Sequence, residues 1–500
     1  MGNEIELKLH IAEGGIRRLL RSSLLAAITQ KKLATRRLIS TYYDTPDHRL
    51  RDHGFAVRLR QIGGKWLQTV KTEGRVIAGL HERPEWETET APNTFDFSRM
   101  QDANLKSQLE KILDGESLQA VFTTEFTRLS RELQFGDGTQ CEFSLDRGKI
   151  IAGTYAIDIS ELELEILNGD VQRLFEFAQR LLLEVPVTLA HESKAARGFA
   201  LALGVQPKPI KATQAVLDKQ MNAQQGFVAI ASACVQQLTA NETGCVLGED
   251  AEFLHQMRVA IRRLRTAIRL FADFLDSEKI LVIVDELRWL GGQLGGTRDL
   301  DVFLEETLPP IFSAWPNRDD LAALSAKAFE QRAMAAAMSK AAIQSARYQR
   351  LLLDLGAWLI AIAKTSDGES IKLVAFARDA LKRHRKQLIR RAEHLLELSA
   401  EERHRVRISG KRLRYAAEFF APLFPAKKSK PYIQELAHLQ SILGVLNDVA
   451  TTKTILARIA DETNGATVEL IQAWVLGAAQ GHMAHLAQAH ERFLRQQTFW

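Results

Sequence analysis

The sequence predicts a multidomain α+β chain, with an antiparallel β-barrel first and an all-helical half after it. Three observations carry this. Apolar and polar residues alternate with period two in many short segments of residues 1–205. Beyond a break at Gly204-Val205-Gln206-Pro207-Lys208-Pro209 the period changes to about 3.6. The helical half then contains a residue pattern that occurs twice at a fixed offset. Five hundred residues suffice for two or more domains, each with its own core.

Composition removes several classes. Apolar residues at 46% and charged residues at 25% match an ordinary globular protein and exclude a disordered or fibrous one. Cys141, Cys234 and Cys245 form no spaced framework, so a reduced, cytoplasmic protein is expected. No apolar run approaches the ~20 residues that span a bilayer, and no membrane association is expected. The chain enters a strand at once, leaving no room for a signal peptide. Charge is unevenly shared: residues 1–205 hold 27 Lys and Arg against 29 Asp and Glu, the remainder 39 against 32. The second half is the one suited to a polyanion.

The first strand is Glu4-Ile5-Glu6-Leu7-Lys8-Leu9-His10-Ile11, charged or polar at even positions and apolar at odd ones. Residues 13–30 read as an amphipathic helix. Short strands follow at about 37–44, 54–62, 65–71, 82–90, 121–135, 139–147, 149–159 and 160–167. Gly63-Gly64, Gly136-Asp137-Gly138 and Gly153 supply turns. Many short antiparallel strands at this spacing suit a sheet closed into a barrel.

The polar faces of these strands concentrate charge. Arg58 and Arg60 share one face, as do Thr69 and Lys71. So do Arg83, Glu85, Glu87 and Glu89; Glu142, Ser144 and Asp146; and Glu161, Glu163 and Glu165. Alternation alone admits two arrangements: a charged coat around an apolar core, or a charged lumen with its apolar faces covered by helices. Energetics favour the second. Like charges about 4 Å apart at an effective dielectric of about 20 cost roughly 4 kcal/mol per pair. Carboxylates gathered together make sense when a divalent metal binds between them, and gathered cations when a polyphosphate lies beside it. Carboxylates plus substrate phosphates are the ligands Mg²⁺ prefers. Arginine grips phosphate bidentately and lysine as a point charge.

The Glu-x-Glu-x-Lys of Glu4, Glu6 and Lys8 resembles the signature of CYTH domains, the triphosphate tunnel metalloenzymes. The resemblance continues, in order, through Thr41-Tyr42-Tyr43-Asp44-Thr45-Pro46-Asp47, Arg58-Leu59-Arg60, Thr69-Val70-Lys71 and Arg83 with Glu85 and Glu87. It then runs through Leu145-Asp146-Arg147-Gly148, Glu161-Leu162-Glu163-Leu164-Glu165 and Ser193-Lys194-Ala195-Ala196-Arg197-Gly198. It implies an eight-stranded antiparallel barrel with a charged tunnel, flanked by helices, over residues 1–205. By motif, Glu4, Glu6, Glu163 and Glu165 would bind Mg²⁺ or Mn²⁺, with Glu161 and Asp146 as further candidates. Lys8, Arg58, Arg60, Lys71, Arg128 and Lys194 would bind the triphosphate. The resemblance also implies roles in catalysis for Lys8 and for a Tyr42–Lys71 pair near the leaving group. Asp44 and Asp47 suit turn positions as well as ligands.

The break at residues 206–214 is the expected linker, with a helical domain over 215–495. Helix breaks are expected near 241–249, 276–278, 309–319, 365–370, 424–431 and 463–466. His255, Arg258, Arg262 and Arg265 reappear 149 residues later as His404, Arg407, Lys411 and Arg414, and Leu294-Gly295-x-x-x-Asp299 as Leu443-Gly444-x-x-x-Asp448. At about 100° per residue the cations fall on one stripe, with Met257, Ile261, Leu264 and Ile268 on the adjacent core face. These motifs resemble the CHAD domain. The resemblance implies a duplicated four-helix bundle whose His255, Arg258, Arg262, Arg265, His404, Arg407, Lys411 and Arg414 line a groove for inorganic polyphosphate. The basic helix around Lys382–Lys386 would add to it.

A CYTH domain followed by a CHAD domain resembles bacterial inorganic triphosphatases. The expected activity is metal-dependent hydrolysis of inorganic triphosphate to diphosphate and phosphate. A thiamine triphosphatase or an adenylate cyclase of the same fold is an alternative, although the His-Phe feature of the family's cyclases is missing here. A non-catalytic polyphosphate-binding adaptor, associated with polyphosphate granules, is another. Nucleic acid is disfavoured because no stacking aromatics interleave with the basic stripes.

Overall fold

The computed structural model describes residues 2–28, 34–248, 250–365, 371–461 and 464–500. The chain forms two compact units. One holds residues Met1–Lys208 together with Gln344–Ile360; the other holds Pro209–Ile343 and Ala361–Trp500. No helix among the described residues is long and apolar enough to cross a membrane.

The first unit is a closed antiparallel barrel. Its strands are β1 (Gly2–Ile11), β2 (Ala34–Asp44), β3 (Phe55–Ile62), β4 (Lys65–Thr72), β5 (Arg75–Ile77), β6 (Leu80–Thr90), β7 (Gln119–Gln134), β8 (Gln140–Ala152), β9 (Tyr155–Asn168) and β10 (Val187–Leu189). Eight of them close in the order β1-β9-β8-β7-β2-β3-β4-β6, with β6 returning to β1. β10 lies along the end of β1, and β5 along β6.

Helices α1 (Glu13–Leu20), α2 (Ser23–Ile28), α3 (Arg49–Asp52), α4 (Ala103–Leu113), α5 (Gln172–Glu184) and α6 (Lys194–Leu203) flank the barrel. The outward apolar face explains why they are there. Val57, Val70 and Trp86 pack with Leu50 of α3 and with Leu105 and Leu109 of α4. Each such side chain contributes about 1.5–3 kcal/mol when fully buried. The charged face therefore points inward. Asp44 accepts hydrogen bonds from the amides of Thr45, Leu50 and Arg51, so it organises the β2–α3 turn.

Several element boundaries differ from expectation. The helix expected over 13–30 is two, broken at Arg21-Ser22, where Ser22 Oγ accepts from Leu24 N; residues 29–30 lie outside the described ones. The segments 139–147, 149–159 and 160–167 are two long strands, β8 and β9, turning at Gly153-Thr154. Gly148 is no break. A Cβ there would lie 2.1 Å from Glu125 O, so glycine lets β7 and β8 approach closely.

The second unit is helical: α7 (Ala223–Thr239), α8 (Glu242–Leu247), α9 (Ala251–Leu270), α10 (Ser277–Gln293), α11 (Gly295–Val302), α12 (Leu308–Ala314) and α13 (Asp319–Ile343). After α14 (Ala346–Thr365) come α15 (Leu373–Arg391), α16 (Ala400–Phe420), α17 (Ala426–Ile459) and α18 (Gly465–Arg495). The 149-residue offset maps α7, α9, α10 with α11, and α13 onto α15, α16, α17 and α18. Met257, Ile261, Leu264 and Ile268 are buried, and Arg263 ties the two copies by reaching Glu418 Oε2 at 3.1 Å. The break expected at 424–431 is shorter, because α17 starts at Ala426 and contains Pro431. A turn at 392–398 stands outside the expected breaks; of the break expected at 365–370, Thr365 ends α14 and residues 366–370 lie outside the described ones. α14 falls between the two copies, and its residues up to Ile360 belong to the barrel unit.

Candidate functional site

Strand register builds the lumen. Side chains directly opposite on neighbouring strands share a face. Lys8 pairs with Glu163, Glu6 with Glu165, and Glu165 in turn with Glu142. Glu4 stands opposite Arg83, Lys71 opposite Glu85, and Arg58 between Tyr42 and Thr69. Ser193 caps α6 through Ala196 N, so that Lys194 begins the helix and enters the barrel. The cavity occupies about 230 Å³. The four metal-binding and six triphosphate-binding residues expected from sequence all line it, and so does Tyr42, whereas the further metal candidates Asp146 and Glu161 do not. Arg83, Glu85 and Glu87, which share faces with them in the sequence but received no role, line it too.

Most of these charges are paired. Glu4 is held by Lys71 Nζ at 2.7 Å and Arg83 Nε at 2.9 Å. Glu6 is held by Lys8 Nζ at 2.8 Å and Arg83 Nη2 at 2.9 Å. Glu163 Oε1 receives Lys8 and Lys194, at 2.9 and 2.8 Å. Burial alone would raise the Glu163 carboxyl, but Lys194, Lys8 and Arg128 outweigh it and hold it well below the usual range. Asp146 and Glu161 are fully buried and do not line the cavity. Asp146 grips Arg128 at 2.7 and 2.8 Å, and Glu161 binds Lys194 and Arg197.

Two lumen charges lack an opposite partner among the described residues. Glu165 makes no ion pair; burial and the carboxylates of Glu4, Glu6 and Glu142 push it up to about 7. Arg60 donates to Ser40 Oγ at 3.0 Å but forms no ion pair; burial, Arg58 and Arg128 push it down to about 10 against smaller opposing effects of Tyr42 and Glu87. The lumen is thus polarised, with surplus negative charge around Glu165 and surplus positive charge around Arg60. Tyr42 Oη accepts from Arg58 Nη1 at 3.4 Å; burial would raise its phenol, yet Arg58 and Arg60 pull it lower.

A hard divalent cation suits this donor set. No group of three His, Cys, Asp or Glu side chains is preassembled at metal spacing among the described residues. Burial and the neighbouring carboxylates of Glu4, Glu6 and Glu142, which raise Glu165, nonetheless favour added positive charge beside it.

In the helical unit, Arg258, Arg262 and His255 of α9 share an electrostatic cluster with Arg298, and Arg262 also neighbours Arg407 and Lys411 of α16. The two copies' stripes therefore converge at Arg262. Arg414 adds to the field at Lys411. Arg265 stands instead with Arg269 and Arg288, and His404 is exposed on α16.

The Leu-Gly-x-x-x-Asp motifs adjoin the cation stripe in both copies. A Cβ on Gly295 would come within 3.0 Å of Arg258 Nη1, and one on Gly444 within 3.9 Å of Arg407 Nη2. Asp299 lies 4.0 Å from Arg258, and Asp448 acts on Arg407. Arg298 and Arg458 join this cluster around Asp299 without belonging to the repeated pattern. Their positions have no basic counterpart at the 149-residue offset, so the repeat gave no signal for them.

A family model described as CYTH domain matches residues 2–199, and one described as CHAD domain matches residues 229–457. A protein of Haemophilus influenzae named inorganic triphosphatase is 38% identical over 208 residues, 40% of this chain and 55% of that protein. The chain thus spans about half the length of that relative. An uncharacterized protein of Mycobacterium tuberculosis is 24% identical over 501 residues, covering 93% of this chain and 90% of its own. The crystal structure of the CHAD domain from the plant Ricinus communis aligns with a TM-score of 0.53 and 31% identity, over 59% of this chain and 99% of its own.

Proposed function

We propose, because residues 2–199 match the CYTH domain and residues 229–457 the CHAD domain, that the chain hydrolyses inorganic triphosphate in the barrel lumen and binds inorganic polyphosphate through its helical unit. The observation that carries the first part is the polarised lumen, in which uncompensated Arg60 and uncompensated Glu165 line one cavity. The relative named inorganic triphosphatase supports the choice of substrate.

Arg58, Arg60, Arg128, Lys8, Lys71 and Lys194 would grip the phosphate oxygens, Arg60 first because it is held in no ion pair among the described residues and feels only a weaker pull from Glu87. Glu4, Glu6, Glu163 and Glu165 would hold Mg²⁺ or Mn²⁺. When bound, the metal neutralises phosphate oxygens and lowers the pKa of a coordinated water. Phosphoanhydride hydrolysis asks mainly for positioning and electrostatic stabilisation. The guanidinium and ammonium groups would supply both, held on barrel strands and, for Lys194, at the start of α6. Tyr42, its phenol lowered beside Arg58 and Arg60, stands with Lys71 on the cavity wall and would serve the leaving diphosphate.

In the helical unit, the convergence of Arg258, Arg262, Arg407 and Lys411 supports a polyanion groove. A panel of inorganic triphosphate, ATP, thiamine triphosphate and long-chain polyphosphate, assayed for phosphate release with Mg²⁺ and then Mn²⁺, tests the reading. Fastest release from inorganic triphosphate is expected. Preference for thiamine triphosphate, or no release from any of the four, would overturn it.

A further inference from the structure

Lys8 occupies a junction in the barrel. Through Leu7, β1 pairs with β6; from Leu9 onward the same edge pairs with β10. At the switch itself, Lys8 N donates to Gly79 O at 3.0 Å, and Ala190 N donates to Lys8 O at 2.9 Å. The main chain that carries the Lys8 ammonium into the lumen is therefore fixed on one side by the residue following β10.

β10 is only three residues long and lies at the edge of the sheet. A short edge strand presents outward amides that need partners. One of them, Leu189 N, donates to Gln349 Oε1 at 2.8 Å. Gln349 is 5% exposed. It lies on α14, in the segment 344–360 that belongs to the barrel unit although it is encoded between the two helical repeats. The same segment meets α5, where Gln179 Nε2 donates to Asp354 Oδ1 at 2.7 Å and where a Cβ on Gly356 would lie 2.3 Å from the Phe175 ring.

We infer that Gln349 is a positioning residue for the barrel site: by capping the Leu189 amide it fixes β10, and β10 fixes the main chain of Lys8. Gln349 touches neither substrate nor metal. Its effect runs through Leu189 and Ala190 to Lys8, which pairs with Glu6 and Glu163. It follows that residues 1–208 alone make an incomplete site, and that the segment between the repeats is part of the enzyme unit. The inference rests on the proposed role of Lys8 in triphosphate hydrolysis.

The test uses the full chain with Gln349→Ala, Gln349→Glu and Asp354→Ala. A carboxylate still accepts from Leu189 N, whereas alanine cannot. Asp354→Ala removes a different polar contact of the same segment, the one with Gln179. Gln349→Ala should lower kcat for triphosphate about tenfold or more, since small misplacements near reacting groups have effects of that size. Gln349→Glu should restore turnover to within about twofold, and Asp354→Ala should leave it near wild type. Amide hydrogen exchange should quicken in residues 7–11 and 187–190 of Gln349→Ala alone. If wild type hydrolyses triphosphate and Gln349→Ala matches it, or if Asp354→Ala loses as much, the inference is wrong. If wild type does not hydrolyse triphosphate, the triphosphatase reading fails. The exchange measurement then still decides whether Gln349 fixes the backbone of Lys8, and unchanged exchange overturns that.

Discussion

Lys8 and Glu163 are register partners on β1 and β9, and Lys8 Nζ lies 2.9 Å from Glu163 Oε1. The same oxygen takes Lys194 at 2.8 Å. A proposed metal ligand thus neutralises two proposed phosphate ligands inside the lumen. Removing one partner of a buried pair costs about 3–5 kcal/mol when the other is left uncompensated. Glu163→Gln should lose less than that in denaturant unfolding, because Lys8 keeps Glu6, Arg128 keeps Asp146, and Lys194 keeps Asp146 and Glu161. Tripolyphosphate without metal should then stabilise the variant more than the wild type, because it supplies the missing negative charge. Equal stabilisation would mean the three cations do not share one anion site.

The helical groove should respond to pH through Lys411. Burial, then Arg407, Arg262 and Arg414, push its ammonium down to about 7, against a smaller opposing effect of Asp448. Its folded pKa lies below the unfolded value of 10.5, so the folded state binds fewer protons between pH 7 and 10.5. Stability therefore rises with pH across that window, and the electrostatic penalty is fully present below pH 7. A bound polyanion reverses this by favouring the charged form. Polyphosphate binding at pH 8 should take up a proton, and affinity should fall as pH rises above 7. Calorimetry in buffers of different ionisation enthalpy reads the uptake. Lys411→Arg should abolish it, and unchanged uptake would assign the proton elsewhere.

The two proposed sites should separate by mutation. Arg258→Ala with Arg407→Ala removes one guanidinium from each repeat. Long-chain polyphosphate binding should weaken at least tenfold in low salt and lose much of its salt dependence, because exposed charge interactions are screened over about 10 Å at 0.1 M. Triphosphate turnover should stay near wild type. Equal loss of both would mean the units act as one site.

Gly148 gives a stability test that does not depend on function. A Cβ at this position would lie 2.1 Å from Glu125 O and 2.4 Å from Phe126 Cα. Main-chain atoms in the middle of a sheet cannot move aside cheaply, so Gly148→Ala should destabilise by about 3 kcal/mol, at the upper end of overpacking effects. A melting temperature equal to wild type would contradict the close strand approach.

The charged lumen could be read from sequence because period-two alternation fixes which residues share a face. What alternation could not supply was the sign of that face, inward or outward. The like-charge repulsion among Glu4, Glu6 and Glu165 pointed inward, and the cavity lined by all three agrees. Gly148 falls between the expected strands 139–147 and 149–159; glycine in a strand signals either a turn or a close approach, and only the neighbouring strand distinguishes them. β10 was missed because three residues carry no period. Gln349 was out of reach for a different reason: it meets Leu189 across 160 positions of sequence. Arg298 and Arg458 join the groove through folding of the helical unit, outside the repeated motif.

The most direct test of the central claim is phosphate release from inorganic triphosphate with Mg²⁺, by the whole chain and by its Glu4→Gln/Glu6→Gln variant. The wild type should turn over, and the variant should lose at least ~10²-fold, the scale of removing preorganised electrostatic groups, with the circular dichroism of both alike. Undiminished turnover by the variant, or none by the wild type with either Mg²⁺ or Mn²⁺, would contradict it.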